Sequence, residues 1–254
     1  MTDKNKAMRK ALLTGLNGTV APVLAKRLRA EGVNVVGWDR DVIPVDDEKQ
    51  GEAFIDGEAP DLIVHLAMGA PAWAGHLAGM AARRKMRFLY ISSVSVFDGS
   101  RPGPFSPDKE PDAKDDYGRY KADCERIVRA ENPEAYVARI GWQIGHHRGG
   151  NHMVDFFYRQ QEEQGRIMAS DSWIPSCSFL EDTVDGLWRL LLELPPSTYH
   201  LEGNDGNSFF AIASQMNAKL AAGWQVEKTA DPCIDIRMTD ERIKLGPISQ
   251  KLSR

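Results

Sequence analysis

Cysteine is scarce in this chain: three in 254 residues, at Cys124, Cys177 and Cys233, odd in number and without any C-x-x-C spacing. That excludes a disulfide framework and a zinc site built on paired thiolates, and leaves reduced thiols as the expectation. Long runs of one charge are missing too. The 32 basic and 36 acidic residues are interspersed and leave a formal charge of -4, so the sequence offers no polybasic arm, and nucleic acid is not an expected partner. The opening Met-Thr-Asp-Lys-Asn-Lys-Ala-Met-Arg-Lys lacks the apolar stretch of a signal peptide, so a cytoplasmic protein is expected. Residues 62–82 hold no Asp, Glu, Lys or Arg over a length that could cross a bilayer. His65, His76, Pro71 and three glycines divide that stretch into a buried strand, a turn and a separate helix, and no membrane span is expected.

What the chain does have is alternation. Short apolar runs at Ala11 to Thr14, Val33 to Trp38, Leu62 to Ala67, Phe88 to Ser92 and Ala135 to Ile140 have the character of strands covered on both faces. Helical spacing separates them at Thr19 to Ala30, Ala72 to Arg84 and Tyr117 to Ala130, with Gly32 as a stop for the first. This order predicts an α/β fold of the Rossmann type, a doubly wound parallel sheet, with a small C-terminal substrate-binding lobe. Residues 1–145 are expected to form the dinucleotide-binding core. Residues 146–254 are expected to complete it and to form the lobe.

Three motifs carry chemistry. Thr14-Gly-Leu-Asn-Gly-Thr-Val-Ala21 runs from a strand into a helix: Gly15 permits the tight turn, Gly18 lets the backbone approach a pyrophosphate, and Ala21 allows close helix packing. Asn17 lies in the same turn, and the helix N-terminus offers N–H groups to the phosphates. Asp39 ends the second strand, where a carboxylate can accept from the adenosine ribose hydroxyls and favours NAD. Arg40 beside it is the residue type that pairs with a 2′-phosphate, so NADP stays open. Leu66 and Ala67 end the strand that should flank the cofactor.

The second motif is the strand end Ile91-Ser-Ser-Val-Ser95, where a hydroxyl from Ser93 or Ser95 can hold a substrate oxygen. Tyr117 and Lys121 form the third. Four residues apart on a helix, they share a face, and an ammonium near a phenol favours its ionised form. Ser100 to Pro111, with four prolines, precedes that helix and is a candidate wall of the site. Taken in order, these features point to nicotinamide-dependent redox chemistry.

The chain resembles the extended short-chain dehydrogenase/reductase superfamily, the NAD-dependent epimerase/dehydratase branch that acts on nucleotide sugars. The likeness rests on Thr14 to Ala21, on Asp61-Leu-Ile-Val-His-Leu-Ala67 as the fourth strand, on Ile91 to Gly99 and on Tyr117-Gly-Arg-Tyr-Lys121. Val96-Phe-Asp-Gly99, Arg139-Ile-Gly-Trp-Gln-Ile-Gly145 and Phe179-Leu-Glu-Asp182 are most similar to the dTDP-4-dehydrorhamnose reductase group. The resemblance implies that Tyr117 is the catalytic acid/base, that Lys121 binds the nicotinamide ribose and lowers the Tyr pKa, and that Ser93 fixes the substrate carbonyl. It implies an NAD(P)-dependent reductase of a keto group on a nucleotide sugar or similar small molecule, acting as a homodimer. An epimerase with tightly bound NAD and a non-catalytic dinucleotide sensor are the alternatives. Val94 and Ser95 stand where dehydratases of the branch carry Asp-Glu and where its reductases carry Asp-Tyr.

Other residues are weaker candidates. Ser95, Trp142 and Asn151 are placed toward substrate, Trp173 with Trp142 as a pocket wall or core aromatic, and Arg237 toward a phosphate. His146, His147 and His152 have no carboxylate at a ligand spacing, so no metal is expected. His65 is expected to be packed or cofactor-adjacent, and Asp182 to cap or face the dipole of a helix near Thr183 to Leu192.

Overall fold

The computed structural model describes residues 8–253, so the opening segment read for a signal peptide lies, up to Ala7, outside the described residues. The chain separates into two compact units. One comprises the residues up to Ile91, with Ala122–Val137 and Pro195–Ser197; the other comprises Ser92–Lys121, Ala138–Leu194 and the chain from Thr198 onward.

The first unit begins β1 (Lys10–Leu13), α1 (Ala21–Ala30), β2 (Asn34–Gly37), α2 (Glu48–Glu58), β3 (Leu62–His65), α3 (Pro71–Arg83) and β4 (Arg87–Ser93). β1 pairs in parallel with β2 on one side and β3 on the other, and β3 pairs in parallel with β4. All four residues of β3 are buried, as an unbroken apolar strand in a covered sheet requires. With α4 (Asp116–Glu131), β5 (Tyr136–Ile140) and a later β10, the sheet order is β10-β5-β4-β3-β1-β2.

That order revises one expectation. Leu62 to His65 is the third strand in the chain, because residues 48–58 form a helix and lead directly into it. The sequence conceals α2 behind Gly51 and Gly57, yet Asp47 caps it by accepting from Gln50 N at 3.0 Å. Strands are thus added to one side of β1 with β2 and to the other with β3, and the gap between β1 and β3 is the point where a doubly wound sheet opens a crevice at its strand ends.

A single hydroxyl organises that point. Thr14 follows β1, and its Oγ1 accepts from the amides of Leu66 and Ala67, each at 3.0 Å. With both acceptor positions taken, its own proton goes to His65 Nδ1 at 3.0 Å. His65 is buried, edge-on to Trp73 at 4.7 Å and stacked on Tyr90 at 5.8 Å, which makes it a packed histidine.

The second unit continues β6 (Trp142–Ile144), α5 (Met153–Gln164), β7 (Ile167–Ser170), β8 (Trp173–Ile174), β9 (Cys177–Phe179), α6 (Leu180–Glu193) and β10 (Thr198–Leu201). It ends with α7 (Phe209–Leu220), β11 (Val226–Thr229), β12 (Ile234–Asp235) and α8 (Ile248–Leu252). Three parallel strand pairs, β6 with β9, β7 with β11 and β8 with β12, frame a core that includes Ile144, Phe157, Phe179, Phe209, Ile212 and Trp224. Asp182 sits inside the first turn of α6 and does not cap it; the N-cap is Phe179, and Asp182 pairs with Lys251 at 2.7 Å. Among the described residues no helix is long and apolar enough to cross a membrane.

Replacing Thr14 with valine keeps the shape and strands two amides, that of buried Ala67 and that of half-buried Leu66. We expect it to cost about 2–4 kcal/mol of unfolding free energy, measured by urea denaturation. A loss below about 0.5 kcal/mol would show that those amides find other partners.

Candidate active site

In the first unit the Gly-rich turn closes on β3. Gly15 has φ of +75°, and a Cβ there would lie 3.0 Å from the Ala67 amide nitrogen, so both backbone conformation and space call for glycine. Gly18 N donates to Gly15 O at 2.8 Å, which completes the turn and leaves Asn17 and Gly18 exposed. The N-cap of α1 is Val20, whose side chain cannot accept, and the first turn of the helix carries no acidic residue. Its amide N–H groups and positive dipole end therefore suit an anionic group. The amides of Leu66 and Ala67 are already engaged by Thr14, so these two residues contribute position and surface.

Asp39 stands exposed at the end of β2 and accepts from Asp41 N at 2.9 Å. Arg40 donates to the Met68 carbonyl at 3.2 Å. A carboxylate and a guanidinium thus flank one strand end, the residue types for a ribose diol and a 2′-phosphate respectively.

The second unit assembles the hydroxyl groups. Ser93 closes β4 in extended geometry and caps a short turn at Val94–Val96, accepting from Ser95 N at 3.1 Å and donating to Ser95 Oγ at 3.2 Å. The Ser93 hydroxyl is near enough to the Tyr117 phenol to favour the phenol's ionised form. Lys121, 4% exposed, holds its Nζ 6.0 Å from the Tyr117 ring centre and 5.9 Å from that of Tyr120. The four-residue spacing therefore places phenol and ammonium on one face of α4, as the sequence predicts.

Burial raises the Tyr117 phenol above its ordinary value; the Ser93 hydroxyl opposes that and the nearby Asp115 charge adds to it. The ring still has 46% of its surface open. The expected lowering of the phenol by Lys121 is therefore not seen in the protein alone, where burial dominates.

Sequence reasoning passes over the residue that makes this geometry possible. A Cβ on Gly118 would lie 2.0 Å from the Ser95 carbonyl oxygen and 2.5 Å from Ala113 Cβ, so only glycine lets the start of α4 meet the serine turn. The only local signal is a glycine in the first turn of an otherwise good helix. Asp115 secures that turn by accepting from Gly118 N at 2.8 Å.

Residues 98–115 form an excursion between the serines and the tyrosine, fastened at both ends. Asp112 Oδ1 accepts from Asp98 N at 2.8 Å, Val96 O accepts from Asp112 N and Ala113 N, and Lys114 pairs with Asp98 at 2.7 Å. Lys114 and Ser100 hold the Asp98 carboxyl well below the usual carboxylate range. Farther out, Phe105 forms an isolated parallel bridge with Met238.

The weaker candidates are placed differently. Trp142 packs on Phe156 at 5.2 Å and Phe209 at 5.9 Å, and Trp173 on Phe209 at 4.8 Å, so both lean on the core. Asn151 is exposed, with φ of +49°. Arg237 forks onto Asp235, Nε to Oδ1 at 3.0 Å and Nη2 to Oδ2 at 2.7 Å, which occupies much of the donor set that was read toward a phosphate. His146 bonds Glu181 at 2.8 Å and His152 is buried near Asp155; no group of three or more potential metal ligands is found among the described residues.

Glu202 was not singled out by sequence. It accepts from Cys177 N at 3.2 Å, Asn204 N at 2.8 Å and Met238 N at 3.0 Å, and burial pushes its carboxyl up to about 7 against these bonds.

Residues 70–233 match the family described as RmlD substrate binding domain. Among curated relatives, the spore coat polysaccharide biosynthesis protein SpsK of Bacillus subtilis (strain 168) is 23% identical over 225 residues, covering 82% of this chain and 78% of that protein. The dTDP-4-dehydrorhamnose reductase of Mycobacterium tuberculosis is 26% identical over 200 residues, covering 71% of this chain and 65% of the enzyme. Among solved structures, dTDP-4-dehydrorhamnose reductase from Bacillus anthracis str. Ames in complex with NADP superposes with a TM-score of 0.85 over 98% of both chains, at 19% identity.

Two substitutions probe the arrangement. At an open helical site Gly→Ala gains about 0.5–1 kcal/mol, whereas for Gly118→Ala we expect a loss of about 1–3 kcal/mol in urea unfolding, because the contact with Ser95 O dominates. A net gain would show that α4 can move away freely. Because the folded pKa of Glu202 lies above its ordinary 4.5, its stabilising contribution is complete below about pH 4.5 and lost as pH rises through about 7. Glu202→Gln should flatten that fall in stability, measured by urea midpoints between pH 5 and 8; an unchanged slope would exclude Glu202 as its source.

Proposed function

Because the chain belongs to the RmlD substrate-binding domain family, we propose that it is an NAD(P)-dependent reductase of a keto group on a nucleotide sugar. The observation that carries the reading is the Tyr117 phenol beside a buried Lys121 on one helix, with Nζ 6.0 Å from the ring centre and the Ser93 hydroxyl nearby. The named reductases among its relatives and structural neighbours support the substrate class.

When bound, the nicotinamide supplies the hydride. The residues suited to hold the dinucleotide are Gly15, Asn17 and Gly18 at its phosphates, Asp39 and Arg40 at the adenosine ribose, and Leu66 and Ala67 along its flank. Asp39 favours NAD and Arg40 admits NADP. Tyr117 donates its proton to the carbonyl oxygen as that oxygen gains charge, and the raised phenol keeps the proton in place until then. Ser93 fixes the same oxygen by exchanging its bond to Ser95 for one to substrate. The Lys121 ammonium binds the nicotinamide ribose and stabilises the phenolate left behind. Ser95, Trp142 and Asn151 are the substrate-side candidates. In this reading residues 1–145 carry the dinucleotide, residues 146–254 complete the core and the substrate lobe, and the enzyme works in the cytoplasm as a homodimer.

The test follows consumption of NADH and NADPH with 4-keto nucleotide sugars. Wild-type protein should turn over, and Tyr117→Phe should lower kcat by about 10²-fold or more. Equal turnover by the two removes Tyr117 from the chemistry. Product formed without net cofactor consumption would identify an epimerase instead.

A further inference from the structure

Arg139 and His200 face each other in the interior of the second unit, 4% and 0% exposed. Arg139 Nη1 lies 3.2 Å from His200 Nε2, and a guanidinium only donates, so Nε2 is the acceptor and the ring proton sits on Nδ1. Nδ1 then donates to the Phe105 carbonyl at 3.1 Å. Burial, with the Arg139 charge beside it, pushes His200 down to about 4, so the imidazole stays neutral at working pH. Asp240 faces it as well, accepting from His200 N at 3.2 Å.

Both residues also enclose the Phe97 ring. The Arg139 guanidinium carbon is 5.0 Å from the ring centre, the His200 ring 5.7 Å and edge-on, and Phe105 4.5 Å away on its own tilted plane. Lys109 Nζ stands 5.4 Å from the same centre, and its carbonyl lies 3.4 Å from Arg139 Nη1. Phe97 matters because it ends the serine turn: its N–H donates to Val94 O at 3.1 Å, and Ser93 caps the same turn. Phe105 lies in the excursion that returns to Tyr117. The pair thus grips one residue beside Ser93 and another on the path to Tyr117.

We infer that Arg139 and His200 are positioning residues for the reduction proposed above, holding Phe97 and Phe105 so that Ser93 stays in hydrogen-bond reach of Tyr117. Neither touches the reacting atoms. This rests on the reductase reading for its kinetic consequence, and on the packing around Phe97 and Phe105 for its effect on the Tyr117 phenol.

The experiment compares Arg139→Met and His200→Leu with the conservative Arg139→Lys and His200→Gln, after urea unfolding confirms that each is folded. With NADPH and a 4-keto nucleotide sugar, the first two should lower kcat about tenfold while leaving the cofactor KM within about twofold, and the conservative pair should recover most of the loss. Independently of turnover, tyrosine labelled at Cζ reports the phenol titration by NMR, with the Tyr117 signal identified by its loss in Tyr117→Phe. Since the Ser93 hydroxyl lowers the phenol, Arg139→Met and His200→Leu should raise its midpoint, and the conservative variants should leave it near wild type. Phe97→Leu removes the gripped ring without stranding a buried charge and should raise the midpoint as well. An unchanged midpoint in folded Arg139→Met, His200→Leu or Phe97→Leu overturns the inference. If wild type reduces no keto sugar, the functional reading fails, and the titration still decides the positioning.

Discussion

Where strands of a parallel sheet end, the next backbone amides lose their ladder partners, and burial forbids water from replacing them. Both units meet this constraint with one side-chain acceptor that serves several amides. In the first, Thr14 Oγ1 takes Leu66 and Ala67 and spends its proton on His65. In the second, the Glu202 carboxylate takes Cys177, Asn204 and Met238. Thr14 fixes the crevice edge beside the Gly-rich turn. Glu202 fixes β9 to the C-terminal segment against which the excursion before Tyr117 is bridged.

The second requirement is close approach. Gly15 lets the dinucleotide turn come within contact of Ala67, and Gly118 lets the helix bearing Tyr117 come within contact of Ser95. In each case the missing methyl group sets how closely the two segments meet, because a Cβ would occupy space already filled by backbone. The hydroxyls of Ser93, Ser95 and Tyr117 gather at one place because this second approach is allowed.

The parts of the fold that were legible in sequence are those written in local spacing. β1, the Gly-rich turn, β3, β4 and the phenol and ammonium of α4 all follow from runs or periods shorter than about twenty residues. Boundaries moved by one to three residues, and α1 begins at Ala21 because Pro22 sits in its first turn. α2 was hidden because two glycines dilute its helical signal. Gly118, Glu202 and the Arg139/His200 pair could not be read in advance, since each draws its meaning from partners far away in sequence, 61 residues apart for the last. Trp142 leans its ring on Phe156 and Phe209, partners that its local motif does not name. Arg237 has its fork turned to Asp235 two residues away.

Tyr117 lies in the opening turn of α4, and opening turns are where helices fray first. Local contacts oppose fraying there, among them the Asp115 carboxylate on Gly118 N, Asp115 O on Arg119 N and the seat of Gly118 against Ser95. Local opening at this turn has only such local contacts to release, whereas global unfolding must break the buried cores of both units. The phenol's place is therefore governed by a smaller free energy than the fold as a whole, and under mild heat or denaturant the chain can release the Tyr117 turn while remaining folded.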